Sequence, residues 1–215
     1  MWRTCWSTSR CPPAAAIAGA TDLPVNGDLE NGFGDDPESV AETIRGAAAA
    51  GLVGCSIEDS TSSPSGPIYL LSQAVERITA AVEAAAALPF AFTLTARAEN
   101  YLHGRSDLDD TIARLQAFDS AGADVLYAPG LRDIEDIRAV CASVSKPVNV
   151  LALAGGPSVE LLSAAGVRRV SLGSGLFNTA LGAFLRAAKD VHEHGTFGFL
   201  DGAATSRDLQ PFLEA

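Results

Sequence analysis

Along the chain, short apolar runs of four to six residues alternate with longer stretches whose apolar positions recur at helical spacing. The interval is about 30 residues, which predicts repeated βα units. The first unit is Leu23-Pro24-Val25, a β-prone segment followed by Asp28-Leu29-Glu30-Asn31-Gly32-Phe33-Gly34. Asp36 and Pro37 then supply an N-cap and a first-turn proline for a helix over 37–50 that stops at Gly51. Five more pairs follow. Strand 53–57 precedes helix 72–87, strand 90–96 precedes helix 107–122, and strand 124–127 precedes helix 133–143. Strand 147–151 precedes helix 158–165, and strand 168–172 precedes helix 176–192. The remainder, 195–215, reads as a Gly-rich connector and a short terminal helix. Six strands in strict βα order fit either an open doubly wound sheet or part of an eight-stranded barrel.

In both architectures chemistry sits at the C-terminal ends of the strands. The charged residues fall there: Asp28 and Glu30, then Glu58 and Asp59, then Arg97 and Glu99. Two carboxylates two apart on a strand end point to the same side, and a pair so placed is one way to hold a divalent cation. Arginine suits a carboxylate ligand because its planar fork bonds both oxygens.

Composition narrows the picture. With 215 residues the chain can bury one core, and no linker or charge block divides it. The sequence therefore reads as one domain over 14–205, with an atypical, disordered segment at 1–13 and a tail at 206–215. A net charge of −11 argues against nucleic acid or an anionic membrane as partner. No apolar stretch reaches the length of a membrane span, and the apolar stretch 14–20 is short for a signal peptide. Cys5, Cys11, Cys55 and Cys141 form no CxxC pair or Cys/His cluster, so reduced cytoplasmic thiols and no zinc site are expected.

The strand ends resemble the isocitrate lyase/phosphoenolpyruvate mutase superfamily. Asp28, Glu30, Gly32, Phe33 and Gly34 match a D-x-[DE]-x-G-[YF]-G mark. Ile57-Glu58-Asp59 matches an I-E-D strand end, and Ala96-Arg97-Ala98-Glu99 an A-R-x-[ED] strand end. Ala121-Gly122-Ala123-Asp124 matches the A-G-A-D helix exit. The resemblance implies a TIM-type (β/α)8 barrel lacking about its first two βα units, with six strands present, and Mg2+ (or Mn2+) as cofactor. It implies a small 2-oxo acid or its adduct as substrate, and C–C or C–P bond chemistry through an enolate. Asp28 would then be the main metal ligand, with Glu30 and Glu58 holding the ion through its waters. Arg97 would pair with the substrate carboxylate, and Gly32 would lie beside the substrate. Oligomers formed by exchange of the last barrel helix are also implied.

The sequence departs from the resemblance in three places. Too few residues precede Leu23 for two βα units, so the chain reads as truncated, and a catalytically impaired remnant or truncated gene model is the alternative function. The loop Ser60 to Gly66 carries none of the Lys, Cys, His or Asn residues that lyase-type or mutase-type members place there. Pro129 stands near a polar or acidic family position.

Other residues are weaker candidates. His103, and beside it Arg105, follow Arg97 on the presumed rim, where His103 is a candidate acid or base. Asn149, polar inside an apolar strand, demands a partner, and the resemblance implies a substrate contact at this strand. Gly173-Ser174-Gly175 reads as a turn and helix cap before it reads as an anion site. Cys55 reads as core packing, and His192 and His194 as solvent-facing residues at a helix end.

Overall fold

A computed structural model describes residues 12–61 and 63–213. Cys5, Cys11 and nearly all of the atypical segment at 1–13 lie outside the described residues. The chain divides into two compact units, the boundary falling between Ser171 and Leu172.

The first unit opens with α1 (Pro12–Ala18) and then alternates strand and helix. The order is β1 (Asn26–Asp28), α2 (Pro37–Ala49), β2 (Gly54–Glu58), α3 (Leu71–Ala86), β3 (Thr93–Arg97) and α4 (Leu108–Ala121). It continues with β4 (Val125–Tyr127), α5 (Ile134–Ser143), β5 (Val148–Leu151), α6 (Val159–Ala164) and β6 (Arg169–Ser171). The six strands form one parallel sheet in the sequential order β1-β2-β3-β4-β5-β6. Sequential order is that of a (β/α) barrel, and it excludes the doubly wound alternative, in which strand order reverses at a switch point.

The sheet is curled. A flat sheet would put β3 and β6 roughly 14 Å apart, yet Arg169 Nη1 on β6 lies 3.2 Å from Thr95 Oγ1 on β3. Register and alternation give the two faces opposite character. Cys55, Ile57, Leu94, Ala96, Leu126, Val148 and Val150 join the buried apolar core. The other face carries Asp28, Ser56, Glu58, Thr95, Arg97, Tyr127, Asn149, Arg169 and Ser171, aligned by consecutive register pairs. Hydrogen bonds among these residues show that this polar face is the concave one.

Local chemistry sets the element boundaries. Asp36 accepts from Ser39 N at 2.9 Å with Pro37 in the first turn, and Asp107 accepts from Asp110 N at 3.0 Å. Asp133 caps α5 and Ser158 caps α6 in the same way. Gly54 is required where β2 begins, because a Cβ there would meet Thr93 O at 2.7 Å. The opening strand differs from expectation. It forms at Asn26–Asp28, after Leu23-Pro24-Val25 rather than on it, since ladder pairing starts at Asn26↔Gly54 and Pro24 has no N–H to donate.

The second unit holds α7 (Gly175–His194), a short 3-10 turn (Gly198–Gly202) and α8 (Ser206–Leu213). Leu176, Phe177, Leu181, Phe184 and Leu185 line an apolar stripe on α7 at helical spacing. Gly195, at φ 66°, ends the helix just after His192 and His194. Among the described residues, no helix is long and apolar enough to cross a membrane.

Candidate active site

Three carboxylates converge on one guanidinium at the C-terminal ends of β1, β2 and β3. Arg97 Nη1 lies 2.7 Å from Asp28 Oδ2, Nη2 lies 3.0 Å from Glu58 Oε2, and Nε donates to Glu99 Oε1 at 2.8 Å. The guanidinium also stands 5.4 Å from the centre of the Tyr127 ring. Burial alone would lower the Arg97 pKa, but the charges of Glu99, Asp28 and Glu58 more than reverse this and raise it. Glu99 is almost fully buried, and burial pushes its carboxyl up to about 7 despite the opposing pull of Arg97. The cluster thus holds more negative than positive charge, with its cation locked between acids.

A second ion network stands behind the first. Asp59 alternates away from Glu58 and is buried, pairing with Arg114 Nη1 at 3.0 Å and accepting from Glu99 N at 2.8 Å. Arg114 also reaches Asp110 at 3.0 Å and donates to the Tyr69 carbonyl at 3.0 Å. Burial raises the Asp59 pKa, and the bonds from Glu99 N–H and Arg114 oppose it. Of the two acids that end β2, Glu58 therefore faces the site, and Asp59 fixes the loops that carry it.

The loop after β1 is held by its own buried cation. Arg77 of α3 donates to the carbonyls of Gly34, Asp35 and Asn31, and its guanidinium lies 4.3 Å from the centre of the Tyr69 ring. The Tyr69 hydroxyl in turn donates to Asp35 and accepts from Asn31 Nδ2. This clamp supports two non-glycine residues with positive φ, Glu30 at 49° and Phe33 at 60°.

The other sequence-derived candidates take varied places. Because the chain turns at Glu30, the period-two argument for Asp28 and Glu30 ends at Asp28. The Glu30 N–H donates to Asp28 Oδ1 at 3.2 Å, its carbonyl accepts from Glu58 N at 2.9 Å, and its side chain is exposed. Gly32, at φ 77°, turns the chain against Val40, and its carbonyl accepts from Thr43. His103 is exposed on a 3-10 turn (Asn100–His103), and its side chain has no hydrogen bond to the cluster among the described residues. Asn149 is buried on the polar face, with Nδ2 donating to Ser171 Oγ at 3.1 Å and Oδ1 unpartnered. Cys55 is fully buried in the core, and burial pushes its thiol up. Gly173 to Gly175 make the turn into α7, where Ser174 Oγ accepts from Asn178 Nδ2 at 2.9 Å.

Sequence reasoning did not single out Ser56, Tyr127 or Arg169 as site residues. Their signal lies in strand parity, since each falls on the face of Glu58 and Arg97. Ser56 Oγ lies 3.2 Å from Asp28 Oδ1, and the Ser171 side chain helps to lower the Tyr127 phenol pKa.

Among the described residues, no group of three or more His, Cys, Asp or Glu side chains is gathered to hold a metal ion. The donor set nonetheless fits a hard cation in one respect. Asp28 and Glu58 already bracket a positive charge, and Mg2+ characteristically binds through one or two carboxylates and several waters.

Comparison with known proteins agrees with this geometry. The sequence profile of the phosphoenolpyruvate phosphomutase family matches residues 6–192. Oxaloacetate decarboxylase 2 of Pseudomonas fluorescens is 31% identical over 189 residues, covering 85% of this chain and 62% of the decarboxylase. The chain thus spans less than two thirds of that relative. A Burkholderia cenocepacia protein with a provisional lyase/mutase designation superposes with a TM-score of 0.89 at 57% identity, covering 94% of this chain and 73% of the other. Oxaloacetate acetylhydrolase in complex with oxalate superposes with a TM-score of 0.78 at 26% identity, covering 92% and 70%. With six parallel strands in barrel order and charged residues at their C-terminal ends, the chain belongs to the isocitrate lyase/phosphoenolpyruvate mutase superfamily.

Proposed function

We propose that the chain carries the site of a divalent-cation-dependent lyase or mutase acting on a small 2-oxo acid, or an adduct of one, in the cytoplasm. The convergence of Asp28, Glu58 and Glu99 on Arg97 carries this reading. Mg2+ or Mn2+ held at Asp28 and Glu58, with Glu30 reaching it through water, would stabilise charge on the substrate oxygen as the adjacent bond breaks toward an enolate. With a cation drawing Asp28 and Glu58 away, Arg97 would pair with the 2-oxo acid carboxylate, while Glu99 holds its guanidinium through Nε. Ser60 Oγ, 2.5 Å from Glu58 Oε1, orients that carboxylate. The names of the relatives support C–C bond chemistry on small carboxylates, and the family likeness supports a homo-oligomer.

Asp28 decides the reading experimentally. Asp28→Asn removes a charge with little change of shape, and Mg2+ or Mn2+ titrated calorimetrically into the full chain should then bind at least about 10-fold more weakly. An affinity equal to that of the wild type would sink the cation site. Turnover of a 2-oxo acid panel, absent in Asp28→Asn and present in the wild type, would separate an active enzyme from an inactive remnant.

A further inference from the structure

The acids of the concave face all sit on its β1–β3 side, while a second guanidinium sits on β6. Arg169 is the last member of a register row running Glu58, Arg97, Tyr127, Asn149, Arg169, and so shares their face. It is partly buried, and among the described residues its one hydrogen-bond partner is the neutral Thr95 hydroxyl at 3.2 Å. Among the described residues, no carboxylate lies within ion-pair distance of it. In a chain of net charge −11, a partly buried arginine lacking an acid is a positive charge left for something else.

Its neighbours are equally unfilled. Asn149 is 1% exposed, yet its Oδ1 has no partner. With the amide turned over, Oδ1 would accept from Ser171 Oγ, and Nδ2 would become the free group, a donor. Arg169 and Asn149 are a direct register pair, and Ser171 follows Arg169 on the same face. Tyr127 spans the two sides, its ring near Arg97 and its phenol pKa lowered in part by the Ser171 side chain.

We propose that Arg169, together with Asn149 and Ser171, receives a second anionic group of the substrate. The preferred substrates then carry two anionic groups, one at Arg97 and the other, a carboxylate or a phosphonate, at Arg169. This assignment rests on the 2-oxo acid reading above and adds to it the residue that would meet the second anionic group.

The test uses 2-hydroxy analogues, which cannot form an enolate and so survive the measurement: lactate with one anionic group, malate and 3-phosphonolactate with two. Each is titrated calorimetrically into the full chain with Mg2+ present. Arg169→Met should weaken malate or 3-phosphonolactate by about 10- to 100-fold and leave lactate unchanged, with Arg169→Lys recovering part of the loss. Whichever of the two dianions loses more identifies the second group. Equal losses on lactate and the dianions, or no loss on any, would overturn the assignment. If Arg169→Met does not fold, the near-isosteric Asn149→Asp places a carboxylate beside Arg169 and should weaken the dianions selectively. Should Arg97→Met weaken all three ligands while neither β5–β6 variant discriminates, the Arg169 assignment falls and the parent reading stands. Should none of the three bind the wild type, both fall.

Discussion

The two halves of the concave face solve the same electrostatic problem in opposite ways. On the β1–β3 side, Arg97 is ringed by Asp28, Glu58 and Glu99, and a second cation, Arg114, sits behind it with Asp59 and Asp110. On the β4–β6 side, Tyr127, Asn149 and Ser171 are neutral, and among the described residues Arg169 meets only a hydroxyl. The first half is internally compensated and its geometry over-determined. The second leaves a guanidinium and an amide with unused capacity. Interlocked charges give a site its shape, whereas unpaired ones leave it room for a ligand.

The largest consequence of this difference is for stability. Arg114→Met leaves Asp59 buried without its cation, a loss of about 3–5 kcal/mol. Arg169→Met removes a single hydrogen bond to a hydroxyl, a loss of about 1 kcal/mol or less. Urea unfolding of the two full-length variants gives the comparison directly. Similar losses in both would mean that Arg169 is as much a structural cation as Arg114.

Next in size is the pH response of the compensated half. The Glu99 carboxyl lies near 7 in the folded chain against an ordinary 4.5, so the folded state holds its proton more tightly than the unfolded state does. Its contribution is therefore most favourable below pH 4.5 and is lost as the pH rises through 7. The full swing is about 3 kcal/mol. Asp59, also raised by burial, acts in the same direction. Glu99→Gln should flatten the decline in unfolding free energy between pH 5 and 8 by most of that amount. An unchanged slope would show that Arg97 already holds Glu99 ionised.

How legible each half was in the sequence follows from the same contrast. Charged residues at three successive strand ends announce themselves, and the helices between them were readable from caps such as Asp36, Asp107 and Asp133. The other half is written in residues whose roles depend on parity alone. Arg168 and Arg169 are adjacent, one exposed and one turned inward, and only the pairing Asn149↔Arg169 decides which. Tyr127 reads as an ordinary strand aromatic until its ring is found near Arg97. Asp59, next to Glu58 at the same strand end, is set apart from it by alternation alone, which buries it against Arg114. The Arg77 clamp was illegible too, because a helix arginine that bonds three loop carbonyls leaves no pattern in the chain.

The smallest effect lies where the halves meet. Tyr127 faces both, with its ring 5.4 Å from the Arg97 guanidinium and its hydroxyl towards Ser171. Burial raises the phenol pKa, and the Arg97 charge and the Ser171 bond pull it back. Tyr127→Phe keeps the ring and removes only the hydroxyl, so its loss measures the link to the β6 side alone, about 0.5–1.5 kcal/mol. Ser171→Ala removes the same interaction from the other end and also takes the acceptor of Asn149 Nδ2. In a double-mutant cycle the two should couple by about 0.5 kcal/mol or more, because once the phenol is gone Ser171→Ala costs only its bond with Asn149. Additive losses would mean that the Tyr127 hydroxyl adds no link between the halves beyond the bond from Arg169 to Thr95.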